Sequence, residues 1–291
     1  MSHEKIHKIA VSGATGFVGS NLIRAFEKLN WEVIPLARKD FRDKPKNLAK
    51  RIQGADIIVN LAGAPITERW TKEYKKIMYE SRIYVTRQIV EACRLMNPGP
   101  QLLISTSAVG YYATRGTHTE EKYMKADNFL GHLAEDWEKE AQKAKEFGKR
   151  IIIFRFGIVL GKDGGALKKM LIPFKSGMGG TIGDGSQAFS WIHIKDLISA
   201  YTTAIDNPAY EGIYNLTSPH PTTNKELTIS LGKVLHRPAL LRVPKFVLRL
   251  QLGEGAQVLV EGQSVLPKRL LDSGFTFSFQ EIEEALKDCV S

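Results

Sequence analysis

An apolar run, Ile9-Ala10-Val11-Ser12, meets three glycines spaced G-x-x-G-x-x-G, and a helix-like stretch follows at once from Ser20 to Phe26. The glycines are Gly13, Gly16 and Gly19. A chain that passes from a buried strand through so tight a turn into a helix is held to a β–α unit. The same order suits a dinucleotide pyrophosphate. The turn bends sharply, the backbone approaches the phosphates with no Cβ between, and the helix N-terminus offers free N–H groups and partial positive charge. A tight β–α turn without a ligand has the same pattern, so the rest of the chain decides.

Apolar, β-branched runs recur at Lys8–Ser12, Glu32–Leu36, Asp56–Leu61, Gln101–Ser105 and Arg150–Arg155. Helix-like segments lie between them, notably Lys72–Arg94 and Leu130–Phe147, where Leu133, Trp137, Ala141 and Ala144 share one face. Continuous apolar strands separated by helices predict a parallel sheet covered on both sides. The expected fold is α/β, a Rossmann doubly wound parallel sheet with a smaller C-terminal α+β lobe. Residues 1–165 are expected to form the nucleotide-binding domain, with 190–220 rejoining it through a strand at Gly212–Leu216. Residues 166–189 and 221–291 are expected to form the substrate-side lobe. Gly177–Gly185, with five glycines in nine residues, reads as a mobile loop at the mouth of the cleft.

At 291 residues, 43% of them hydrophobic, the chain has ample material for a core of this size. No apolar run approaches the roughly 18–20 residues of a membrane span. The start, Met1 to Lys5, leads straight toward the first strand and leaves no room for a signal peptide. Cys93 and Cys289 match no metal spacing and read as reduced thiols in a cytosolic protein. The net charge of +10 is dispersed among acids, so anionic cofactors and substrates are expected as partners rather than nucleic acid, and without a spanning run no membrane partner is expected.

The second strand ends Pro35-Leu36-Ala37-Arg38-Lys39. NAD-specific sites place an acid at this strand end for the adenosine ribose hydroxyls. No acid occurs before Asp40, and Arg38 and Lys39 take the place. A guanidinium binds a 2′-phosphate through charge-assisted bonds worth roughly 1.5–3 kcal/mol each. NADP(H) is therefore predicted over NAD(H); two solvated surface cations are the alternative. The third strand ends Asn60-Leu61-Ala62-Gly63, where Leu61, Ala62 and Gly63 would let backbone pass beside the adenine ribose and pyrophosphate. The fourth ends Ser105-Thr106-Ser107 and runs on to Tyr111-Tyr112. Those hydroxyls either hold a carbonyl or alcohol over a nicotinamide or satisfy their own turn.

With these four pieces in order, the chain resembles the short-chain dehydrogenase/reductase superfamily, extended type, over nearly its whole length. Within it, the chain is similar to the atypical family named for nucleoside-diphosphate-sugar epimerases. The matching segments are Glu80-Ser81-Arg82, Tyr111-Tyr112, Arg155–Gly161, Ser190–Asp196, Leu235–Pro238 and Leu266–Arg269. The resemblance implies a grip on NADP(H) through Gly13, Thr15, Gly16, Phe17 and Val18 of the turn, and through Ala37, Arg38, Leu61 and Ala62. It adds Arg82 and Val159. It also implies Ser107 as the catalytic serine and sets Trp191 and His193 near the substrate pocket. A histidine after two apolar residues is as readily a packed core residue.

Members with secure activity use a tyrosine followed four positions later by lysine. The ammonium on the same helix face lowers the phenol's pKa from about 10 toward working pH. None of the nine tyrosines here has that lysine. By register against Trp137, Phe129 stands in the tyrosine's place and Leu133 in the lysine's. Two readings follow. An NADP(H)-dependent oxidoreductase or epimerase of a small hydroxyl or carbonyl compound, with a nucleotide sugar implied by the family name, would rely on Ser107 and Tyr111. Arg115 or the oxidised nicotinamide would then lower the Tyr111 pKa, with His193 and His132 as further candidates. The alternative is a non-catalytic NADP(H)-binding sensor or regulatory protein.

Overall fold

The computed structural model describes residues 7–162 and 164–291; the residues on which the N-terminal expectation rests, Met1–Lys5, lie outside the described residues. Six strands form one parallel sheet: β1 (Lys8–Ser12), β2 (Glu32–Leu36), β3 (Ile57–Asn60), β4 (Leu102–Ala108), β5 (Arg150–Phe156) and β6 (Gly212–Leu216). Their spatial order is β2-β1-β3-β4-β5-β6. The chain steps outward from β1 to β2 and then returns to build the other half from β3. That reversal opens a crevice at the carboxyl ends of β1 and β3, where sheets of this kind take their ligands.

The covering helices are α1 (Phe17–Lys28), α2 (Pro45–Arg51), α3 (Lys72–Leu95), α4 (Phe129–Gln142), α5 (Gly165–Lys175) and α6 (Ile194–Asp206). Alternate residues of each strand feed two separate cores. Ile9, Val11, Ile57, Val59, Ile152 and Phe154 pack with Leu22 and Phe26 of α1 and Leu197 and Tyr201 of α6. Ala10, Ile58, Leu103, Ile151 and Ile153 face the other way, onto Leu48 and Ile52, Ile89 and Cys93 of α3, and Ala141 of α4. Burying each such aliphatic side chain contributes about 1.5–3 kcal/mol, so a strand apolar at every position is stable only with both faces covered. Strand β4 pairs with β5 over seven residues, from Leu102 to Ala108. It therefore runs three residues beyond the expected end, and Thr106 and Ser107 are sheet residues rather than a turn.

The second lobe uses α5, α7 (Asn224–Leu235), α8 (Lys245–Leu252) and the terminal helix Ile282–Val290. Leu167, Phe174, Phe189, Trp191, Leu227, Leu231 and Leu286 form its core. The glycine-rich stretch departs from the expectation of a loose loop. Gly180–Ile182 pairs in parallel with Leu241–Val243, and Ile182 N donates to Asn224 Oδ1 at 2.9 Å. A Cβ on Gly180 would lie 2.0 Å from Leu241 O. The glycine here answers a close backbone approach.

Candidate active site

The first turn sits at the open end of the crevice. Gly13 has φ +66°, and a Cβ there would meet Leu61 O at 2.7 Å; a Cβ on Gly19 would lie 2.3 Å from Gly13 O. Strand, turn and helix thus approach too closely for any side chain. Thr15 and Gly16 are exposed, and no side chain caps α1 at Gly16. The first N–H groups of a twelve-residue helix are therefore open to an anion. Phe17, Val18 and Val159 are half-buried against the sheet core. The Phe17 ring occupies the space a Cβ on Gly164 would need, so the segment after Val159 laps over the start of α1.

The end of β3 is held by a buried polar chain. Ser12 Oγ donates to Asn60 Oδ1 at 2.7 Å and accepts from Leu61 N at 3.0 Å and Ala62 N at 3.2 Å. Asn60 Nδ2 and Trp137 Nε1 both donate to Thr86 Oγ1, at 2.8 and 2.9 Å. Helix α3 clasps the next loop: Ser81 Oγ accepts from Ala64 N at 2.9 Å, and Arg82 Nη2 donates to Ala64 O at 3.0 Å. The Arg82 guanidinium lies 3.0 Å from where a Gly63 Cβ would be. Burial lowers its pKa to about 10, and no carboxylate pairs with it among the described residues. The guanidinium is half-buried, donates to Met78 O and Ala64 O, and leaves a positive charge at the crevice that an anion would complement. At the end of β2, Arg38 and Lys39 are exposed. Asp40 turns its carboxylate back onto Ala37 N at 2.7 Å, which takes that acid away from a ribose.

The end of β4 differs more from expectation. Ser107 is 1% exposed, and its Oγ donates to Glu138 Oε1 at 2.6 Å. Its proton is thus already committed to Glu138. Glu138 also receives two bonds from Arg155, from Nε to Oε1 and from Nη2 to Oε2, each at 2.7 Å. Burial opposes the charge on Arg155, but the paired bonds to Glu138 outweigh it and hold the guanidinium protonated. Arg155 Nη1 donates to Tyr112 Oη at 2.8 Å, and Tyr112 Oη donates to Asn215 Oδ1 at 2.7 Å. The Tyr111 ring lies 3.6 Å from the guanidinium carbon, measured to its centroid. Ser107 and Tyr111 are thus gathered around one buried cation, and that cation is Arg155, not Arg115. It lies against the ring face. Burial and a hydrogen bond with Tyr123 push the Tyr111 phenol up to about 12.

Phe129 and Leu133, set in the place of the Tyr/Lys pair by sequence register, lie in an apolar cluster with Trp70, Met78, Ile83 and Trp137. Trp191 and His193, which the resemblance sets near the substrate pocket, are both buried. Trp191 is fully buried in the lobe core. His193 is 1% exposed, caps α6 by accepting from Lys195 N at 3.3 Å, and packs 3.9 Å from the Phe279 ring. Burial lowers its pKa to about 4, so the ring is neutral although Asp288 lies 3.3 Å from Nε2. His132 is exposed on α4, 3.1 Å from Asp127. Sequence reasoning missed Glu138, Thr86 and Asn215. One signal was present: Arg155 interrupts an otherwise apolar strand, and a buried charge requires a partner.

The profile of the NAD-dependent epimerase/dehydratase family matches residues 9–217, and that of a domain of unknown function (DUF1731) matches 243–289. The chain is 39% identical over 300 residues to the chloroplastic "Epimerase family protein SDR39U1 homolog" of Arabidopsis thaliana, covering 96% of this chain and 85% of that protein. It is 37% identical to epimerase family protein SH2119 of Staphylococcus haemolyticus, over 96% of this chain and 98% of that one. Among solved structures it is similar to human epimerase family protein SDR39U1 (isoform 2) with NADPH. The TM-score is 0.89 at 32% identity, covering 97% of this chain and 98% of that one. A UDP-glucuronic acid 4-epimerase from Bacillus cereus shares the fold, with TM-score 0.78 at 19% identity over 97% of each chain.

Proposed function

Because the chain belongs to the NAD-dependent epimerase/dehydratase family, we propose that it binds NADP(H) and reduces a carbonyl on a small molecule. The observation that carries the cofactor half is the crevice itself. Its walls admit no Cβ at Gly13 or Gly19, and the half-buried Arg82 beside Gly63 has no carboxylate partner among the described residues. The turn N–H groups from Gly13 to Val18 would hold the pyrophosphate. Arg38 and Lys39 would take the 2′-phosphate beside Ala37, and Leu61, Ala62 and Gly63 would flank the adenosine. The related human protein was solved with NADPH. The buried thiols Cys93 and Cys289, both pushed up to about 12, suit a reducing compartment such as the cytosol.

When bound, NADP(H) supplies a hydride to the substrate carbon. The protein must then give a proton to the substrate oxygen. Tyr111 suits that role, because a phenol near 12 stays protonated at neutral pH yet remains far more acidic than an alcohol. Epimerisation asks one group to accept a proton and then return it, and such a phenol seldom accepts. Ser107 acts through Glu138 as a positioning residue. A nucleotide sugar remains a candidate substrate through the family name.

A second reading, a non-catalytic NADP(H) sensor, is favoured by the apolar cluster that replaces the Tyr/Lys pair. Two measurements separate the readings. Fluorescence titration with NADPH and NADH tests the cofactor; equal affinities would overturn it. Arg38→Ala should weaken NADPH on the order of tenfold or more and barely change NADH. NADPH consumption is then followed with aldehydes, ketones and oxidised nucleotide sugars. Tyr111→Phe should slow any turnover at least tenfold. Tight NADPH binding with no turnover on any carbonyl supports the sensor instead.

A further inference from the structure

We propose that a cationic, apolar face of the C-terminal lobe docks the protein onto an anionic lipid surface. Helix α8 buries none of its residues. Phe246 and Leu250, one turn apart on it, are 69% and 77% exposed, and Leu240 just before it is 89% exposed. Leu241 N donates to Gly179 O at 3.3 Å, and Met178 N donates to Pro173 O at 2.8 Å. These bonds set two further exposed side chains, Met178 and Ile172, beside the strand that leads into α8. Large apolar side chains clustered in water mark an interaction site.

Charge decides what covers them. Residues 164–185 and 225–252 carry nine lysines and arginines against Asp184 and Glu226; of the nine, Lys233 pairs with Glu283 and Lys245 with Asp184. Lys175, Arg237, Arg242 and Arg249 are exposed and form no ion pair among the described residues. A second copy on a two-fold axis would set this face against itself, like charge to like. An acidic peptide would seek a groove, whereas the exposed side of α8 is a convex helix face with Phe246, Arg249 and Leu250 outward. Anionic headgroups over acyl chains accept both kinds of side chain: the cations meet phosphate, and Phe246 and Leu250 enter the boundary layer. Among the described residues no helix is long and apolar enough to cross a membrane, so the contact is peripheral. The expectation of no membrane partner came from the lack of a spanning run, which leaves a surface contact open.

The full-length protein is sedimented with vesicles of phosphatidylcholine containing phosphatidylserine, and with vesicles of phosphatidylcholine alone. Binding is expected only to the first, weakened tenfold or more by high salt, by Phe246→Ser with Leu250→Ser, and by Arg242→Glu with Arg249→Glu. NADPH affinity and melting temperature should stay at wild-type values in both double variants. Equal binding to both vesicle types, no binding at low salt, or an unaffected apolar variant would each overturn the proposal. So would a wild-type dimer that the apolar variant turns into a monomer, because the face would then be a contact between copies.

Discussion

Arg155 and Glu138 govern the site one side chain at a time. Both are nearly fully buried and bonded twice to each other. Removing one partner strands the other charge in the core, so Glu138→Ala should cost about 3–5 kcal/mol, read from urea denaturation midpoints. The double change Glu138→Leu with Arg155→Met should recover most of that, and a double variant no more stable than Glu138→Ala would refute the charge account. Half of the pair was legible in the sequence, since a lone arginine in Ile151-Ile152-Ile153-Phe154-Arg155-Phe156 demands a counter-ion. Its identity was not. Glu138 sits in a run of charges from Glu135 to Glu140 that reads as a solvated face, and only packing turns it inward. Tyr111 gives a second prediction at this scale. With its pKa near 12 the acid form persists across neutral pH, so a reductive rate limited by this proton should be flat from about pH 6 to 9. A rate that climbs with pH through that window would mean a base is at work.

Secondary-structure elements follow mostly from short stretches of chain. Strands β1 and β2 match their expected limits: β1 is a buried, unbroken apolar run, and β2, at the sheet edge with Glu32 and Pro35 exposed, still turns Ile34 and Leu36 into the core. Helix α4 buries Leu133, Trp137, Ala141 and the nearby Ala144 as the period of the helix requires, with Lys139 and Glu135 paired at 3.1 Å outside. The end of β4 was less readable, since Ser and Thr serve a strand or a turn equally and the length of β5 beside it decides. The strand–turn–helix unit carries its own test. Gly19→Ala would push a methyl into Gly13 O, so α1 must lift from the turn. A loss of about 1–3 kcal/mol is expected together with weaker NADPH binding, measured by thermal melts and titration. Unchanged affinity would show that the helix N-terminus is not where the pyrophosphate rests.

At the scale of the whole molecule, His193 joins the two lobes. It caps α6 of the sheet domain while packing against Phe279 and lying beside Asp288 of the terminal helix. Its ordinary pKa of 6.5 falls to about 4 in the folded chain through burial. As pH drops, the unfolded chain therefore takes up the proton first. Stability from the neutral ring is whole above about 6.5 and is lost progressively toward 4, by up to about 3 kcal/mol. His193→Asn keeps a capping side chain without the titration, so it should flatten the fall in melting temperature below pH 6.5. An equally steep fall in the variant would assign the acid sensitivity elsewhere. What the sequence determined by itself was whatever acts over a few residues: the glycine turn, the strand periods, the cations after β2, and the missing Tyr/Lys pair. The tertiary structure alone decided that Ser107 spends its proton on Glu138, that Trp191 and His193 are core residues, and that Arg82 faces Gly63. Backbone geometry and apolar periodicity are local and can be read in short windows. The partner of a polar side chain depends on which segments meet in space, as with Glu138 and Arg155, 17 residues apart, or Tyr112 and Asn215, 103 apart.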